Sequence, residues 1–172
     1  MAAPAEFLLA RPNPDIFRAI PRPIEITNES AVIEAARLAL VFYGLLAHDQ
    51  TLTPLPKDHE WRKHDGSSAT YLVEQEIGPN VVYICILEAE GETTSHYHPR
   101  RKGKKPDVYE NFVCPLGKVN VNFGGESRTL SEGDSMKLLP ETRHKVKAVE
   151  RSILAIVMEN AASYPRNERH IK

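Results

Sequence analysis

The residues best suited to chemistry lie between Gly91 and Gly117, with a second group between Gly133 and His144. His96-Tyr97-His98 sets two imidazoles two positions apart. Successive side chains alternate in direction along an extended chain, so both rings point to one side and a single ion could take both. Glu110 follows after eleven intervening residues, inside the β-branched and aromatic run Val108 to Cys114, which reads as a strand closing at Gly117. His144 comes after a Gly133-Asp134 turn and Pro140. Three neutral imidazoles and one carboxylate suit a first-row divalent ion and leave coordination positions for water or substrate. Such an ion, bound to a carbonyl and an adjacent hydroxyl oxygen, acidifies the C–H between them, so that a nearby base can move the proton through an enediolate.

That chemistry needs a base and a way to hold the substrate. Glu159 is the first candidate base, because the apolar run Ile153 to Met158 reads as a last strand lying beside the metal strands and carrying a carboxylate at its end. Lys137, between the Gly133 turn and Pro140, is the second. The loop Arg100-Arg101-Lys102-Gly103-Lys104-Lys105 directly follows His98. Its cations, with Arg100, Lys102 and Lys104 as the substrate contacts, would attract a phosphate or carboxylate on the substrate. A solvated loop serving solubility is the competing reading.

The elements that must position these residues are mostly strands. Apolar and β-branched runs at 70–76, 81–88, 108–114, 118–123, 127–130, 136–139 and 153–158 are separated by Gly78-Pro79-Asn80, Gly117, Gly124-Gly125 and Gly133-Asp134. Short strands at this spacing predict a sandwich or barrel, here a double-sheet jelly roll. Upstream, prolines at 4, 12, 14, 21 and 23 predict an extended or looped arm through about residue 27. Asn28-Glu29-Ser30 offers an N-cap for one helix from Ala31 to about Ala47. Its second half is apolar on nearly every side, which predicts burial on more than one face and, together with the arm, a homodimer. Residues 49–68 read as a connector with a short strand around Trp61. Thus 1–68 form an arm, helix and connector that belong to the same unit as a β domain at 69–172.

Composition removes several function classes. A net charge of −1 over 172 residues gives no global attraction to nucleic acid or to an anionic membrane. The most apolar run, Leu38 to Ala47, is about half the length of a membrane span. The first residues lack a basic flank followed by an apolar core, so a cytoplasmic location is expected. Cys85 and Cys114 sit in apolar strand-like runs, where buried reduced thiols are the usual outcome.

Gly91, His96-Tyr97-His98, Glu110 and Gly117 resemble the first motif of cupins, and Gly133-Asp134, Pro140 and His144 resemble the second. The gap from His98 to Glu110 is longer than the usual cupin spacing, and no glycine stands just before His144. The resemblance covers about the last hundred residues and implies an all-β cupin double-stranded β-helix. Within cupins, His96-Tyr97-His98, the long Gly/Lys-containing loop and the run Glu110 to Val119 resemble small D-lyxose isomerase-type sugar isomerases. The resemblance implies His96, His98, Glu110 and His144 as ligands of a divalent metal, typically manganese, with Fe2+, Zn2+, Co2+ or Ni2+ as other occupants. It implies aldose–ketose isomerisation of a sugar of the D-lyxose or D-mannose type or of a sugar phosphate. An Fe(II)-dependent cupin dioxygenase could use the same four ligands, and a non-catalytic cupin that binds a small molecule is the third reading.

Overall fold

The computed structural model describes residues 8–10, 15–63, 68–98, 100, 103 and 106–165. In chain order the elements are β1 (Leu8–Ala10), α1 (Ile16–Ala19), α2 (Glu29–Phe42), β2 (Ala69–Ile77), β3 (Asn80–Leu87), β4 (Tyr109–Leu116), β5 (Lys118–Phe123), β6 (Glu126–Ser131), β7 (Ser135–Leu138), β8 (His144–Ala148) and β9 (Ser152–Glu159). A six-stranded sheet runs β1-β7-β4-β9-β3-β2 and a three-stranded sheet runs β6-β5-β8, with every pairing antiparallel. Isolated bridges Glu92↔Lys147 and His96↔His144 lay residues 92–97 along the free side of β8. This is a double-sheet jelly roll, as the strand spacing predicts.

Strand alternation builds two cores on the two faces of the large sheet. Tyr83, Cys85, Leu154, Ile156, Met158 and Phe112 face the interior between the sheets, where they meet Val121, Phe123 and Val146 of the small sheet. Val82, Ile84, Ile86, Val113, Ala155 and Val157 face the other way, onto α2. Two covered faces explain why β3 and β9 read as continuous apolar runs instead of alternating ones.

The helix begins where its cap predicts, with Asn28 Oδ1 accepting from Ala31 N at 3.2 Å. It ends at Phe42, before the expected Ala47, and Gly44 takes φ +70° in the turn that follows. Val32, Ile33, Ala36, Ala39 and Leu40 are buried against the sheet, and Ile16, Ile20 and Leu46 join them. The buried stripe is thus satisfied inside the chain, while Leu38, Val41, Phe42, Tyr43 and Leu45 are half-buried. Among the described residues Val149 is the one large exposed hydrophobic.

Three local expectations change. The segment around Trp61 is a 3-10 turn, Glu60–Lys63, not a strand. The proline-rich arm contributes a short helix, α1, and its β1 pairs with β7 of the same chain. The strand beginning at His144 is an addition, because its alternating Lys145, Val146 and Lys147 carry a weak apolar signal. Cys85 and Cys114 are free and buried, and burial pushes the Cys114 thiol up to about 12, which keeps it protonated and inert. No helix of the described residues is long and apolar enough to cross a membrane.

Candidate metal centre

The four expected ligands come together at one end of the interior. Glu110 is on β4, opposite Leu138 and Met158, whose interior-facing side chains fix its own direction. His144 opens β8 opposite Phe123. His96 is locked to His144 by reciprocal backbone bonds, His96 N to His144 O at 3.0 Å and His144 N to His96 O at 2.8 Å. His98 is held through its carbonyl, which accepts from Glu141 N at 2.7 Å. Glu141 reaches that bond in the left-handed region at φ 65°, in the loop where the cupin motif has a glycine.

Candidate ligand atoms of His96, His98, Glu110 and His144 all lie within 4.8 Å of one another, and all four residues are buried. Glu110 Oε2 is 2.6 Å from His98 Nε2 and 2.8 Å from His144 Nε2. His96 Nδ1 lies 2.7 Å from the Thr94 carbonyl oxygen and His144 Nδ1 lies 2.8 Å from that of Thr142. An N–H donated to a carbonyl assigns the proton to Nδ1 and leaves the Nε2 lone pair for a metal. At His144 this turns a lone pair toward a carboxylate oxygen, an arrangement that a cation between them resolves. The donor set therefore fits a divalent ion, held by the three Nε2 atoms and the Glu110 carboxylate.

The electrostatics agree. Burial pushes the His96 imidazole down to about 4, so it is neutral and competent as a ligand near pH 7. Burial alone would raise the Glu110 carboxyl, but in the ion-free cluster protons on the His98 and His144 rings supply the positive charge and hydrogen bonds that outweigh it and hold the group well below the usual carboxylate range, and a cation bound there would replace those protons. The Phe112 ring, centred 5.9 Å from that of His144, supplies an apolar wall.

The other expected site residues lie elsewhere. β9 does run beside β4, but Glu159 pairs with Tyr109, one position beyond the Met158–Glu110 pair, and so points to the opposite face of the sheet. Lys137 pairs with Asn111 and shares that outer face. The two meet there, Lys137 Nζ 2.7 Å from Glu159 Oε2, with the ammonium 4.8 Å from the centre of the Tyr109 ring. This placement corrects the expectation that either one is delivered to the cluster. Arg100 is exposed and lies 3.7 Å from Asp107, while Lys102 and Lys104 lie outside the described residues.

Two interior-facing groups were not singled out. Glu74 pairs with Tyr83, and Tyr83 with Ile156, so both project into the space that Glu110 faces. Tyr83 is buried and Glu74 half-buried. Their direction is masked in the sequence because β2 changes register between Tyr71 and Val73, which reverses its alternation.

No family model matches the chain, and no curated protein does. Among solved structures, KdgF from Halomonas sp. is 16% identical, with 67% of this chain and 92% of that chain covered at a TM-score of 0.47. An uncharacterized double-stranded beta-helix protein from Klebsiella pneumoniae is 18% identical, with 64% and 86% covered at 0.49. An RmlC-like cupin from Shewanella frigidimarina is 14% identical, with 67% and 90% covered at 0.49. The second is described as a double-stranded β-helix protein and the third as a cupin, and the fold stated above rests on the strand order and pairing themselves.

Proposed function

We propose that the protein is a metal-dependent aldose–ketose isomerase. The observation that carries the metal is the buried cluster of His96, His98, Glu110 and His144, whose hydrogen bonds present imidazole lone pairs and a carboxylate to one point. The isomerase assignment is supported by the resemblance of His96-Tyr97-His98 and the run Glu110 to Val119 to D-lyxose isomerase-type cupins. A divalent ion held there supplies Lewis acidity to a carbonyl and its neighbouring hydroxyl.

The chain's own residues do the rest. Glu110 and the backbone-anchored imidazoles hold the site rigid, while Phe112, Leu138 and Met158 keep its interior side apolar and strengthen local electrostatics. With Glu159 and Lys137 on the outer face, the proton passes to an interior-facing group. The interior-facing candidates we propose for that step are Glu74 and Tyr83, as base and as hydrogen-bond donor, which share the sheet face of Glu110 at three and two strands from it. Manganese is the metal proposed.

The test is turnover of a panel of pentoses, hexoses and their phosphates in D2O with manganese-loaded protein. Deuterium at C1 or C2 of the product, at a rate indifferent to oxygen, is expected. Oxygen consumption stoichiometric with substrate and no deuterium would replace this reading with a dioxygenase.

A further inference from the structure

The segment that carries His96 leaves the strand register just before it reaches the cluster. Glu92 is bridged to Lys147, and Thr93 N donates to Val146 O at 2.9 Å, so the chain enters in step with β8. The next bridge is His96↔His144. Thr94 and Ser95 together therefore stand opposite Lys145 alone, which is a β-bulge. In an unbroken register Ser95 would face His144, and His96 would lie one position further on, turned to the other face of the sheet. The extra residue is what turns His96 toward Glu110 and His144. Beyond the bridge Tyr97 meets Arg143, whose guanidinium lies 5.1 Å from the centre of the tyrosine ring, as pairing outward from His96↔His144 requires.

The side chain of Thr93 stands at the point of departure. Its hydroxyl oxygen accepts from Val146 N at 2.9 Å, in the place where a regular antiparallel pair would use the Thr93 carbonyl. Thr93 and Val146 are both buried, so this N–H depends on a partner within the protein. With that amide satisfied by a side chain, the backbone after Thr93 is released from the ladder. The next carbonyl oxygen, that of Thr94, then lies 2.7 Å from His96 Nδ1. An N–H donated there holds the ring as the Nδ1–H tautomer and leaves Nε2 for the cluster.

We propose that Thr93 is a positioning residue of the metal centre: its hydroxyl holds the bulge that gives His96 its direction and its tautomer. Thr93 acts through the Val146 amide and the Thr94 carbonyl, without being a ligand itself. This assignment rests on the cluster being a metal site, and it concerns the aim of one ligand, whatever reaction the site performs.

The test compares Thr93→Val, which keeps the shape and removes the acceptor, with Thr93→Ser, which keeps the hydroxyl. Ser152→Ala is the matched control. The buried Ser152 hydroxyl also accepts a backbone N–H, from Lys118 at 2.9 Å, at the end of β9 away from the cluster. Two readouts are taken on each protein. Co2+ is titrated into chelator-treated protein, where its visible absorption reports ligand geometry. In metal-free protein, long-range proton–nitrogen NMR correlations of the His96 ring distinguish its two neutral tautomers. Thr93→Val should weaken Co2+ affinity by about 10–100-fold, the usual cost of losing a contact that orients a ligand, change the absorption spectrum and mix the His96 tautomers. Thr93→Ser should return all three toward native values. Ser152→Ala should lower the melting temperature and leave all three native. Native affinity, spectrum and tautomer in Thr93→Val overturn the proposal, and so does an equal loss in Ser152→Ala. If Thr93→Val does not fold, Thr93→Ala is judged by the same criteria. If the native protein binds no Co2+, the metal reading falls and the His96 tautomer alone decides the role of Thr93: mixed in Thr93→Val it stands, native it is overturned.

Discussion

The burial of His96 sets a stability that depends on pH in the metal-free protein. Burial lowers this imidazole from 6.5 to about 4, because the charged ring would lose its hydration. Between those values the unfolded chain binds a proton that the native state refuses. The His96 contribution is therefore full above pH 6.5, falls as the pH drops toward 4, and levels off below. The difference corresponds to about 3 kcal/mol at 1.36 kcal/mol per pH unit. For a chain of this size that is about 6–12 °C in melting temperature. Glu110 acts in a separate window: its carboxyl is held below the usual range, so its contribution is lost only as the pH falls below the ordinary carboxylate value. Urea unfolding of chelator-treated protein at pH 7.5, 6, 5 and 4, beside His96→Gln, isolates the effect. Gln keeps a polar side chain and cannot titrate. If His96→Gln loses as much stability between pH 6.5 and 4.5 as the native chain, the reasoning from burial fails.

The same cluster should bind its ion strongly enough to show in melting. Divalent metal at about a hundred times its dissociation constant should raise the melting temperature by about 5–10 °C, from about 2.7 kcal/mol of linkage. His96→Ala, His98→Ala, Glu110→Ala and His144→Ala should each reduce bound metal measured by mass spectrometry, and unchanged stoichiometry in one would remove that residue from the set. Glu159→Gln should leave turnover near normal, because its side chain is across the sheet from the cluster. Glu74→Gln should lower turnover by about 10²–10⁴-fold at constant metal content, and equal rates in the two variants would contradict the placement of the base. Gly117→Ala should destabilise by about 2 kcal/mol or more in denaturant titrations. The residue has φ +88°, and an added Cβ would crowd Ser152 Oγ and sit 2.7 Å from the Arg151 carbonyl oxygen.

What the sequence determined by itself is what depends on neighbours along the chain. Two histidines two apart share a side whether or not the strand is long, so His96 and His98 were legible together even though only an isolated bridge at His96 holds this segment to the sheet. Glycine and proline turns delimited β3 and β5 to within a residue or two, the apolar run 153–158 marked β9, and the Asn28 cap marked the helix start. The metal set was legible because its residue types carry the chemistry and the strands that hold them are separated by clear breaks. Which face a residue occupies in a twice-covered sheet was not legible. β9 is apolar throughout, so no alternation tells Met158 from Glu159, and only pairing with Glu110 and Tyr109 assigns one to the interior and the other to the outside. Glu74 was hidden by the register change in β2 for the same reason. The apolar helix presents the corresponding ambiguity: one stripe needs a cover, but whether the cover is a second subunit or the chain's own sheet is decided by long-range packing. The stacking of Arg143 on Tyr97 is likewise a contact across 46 positions that no local pattern encodes.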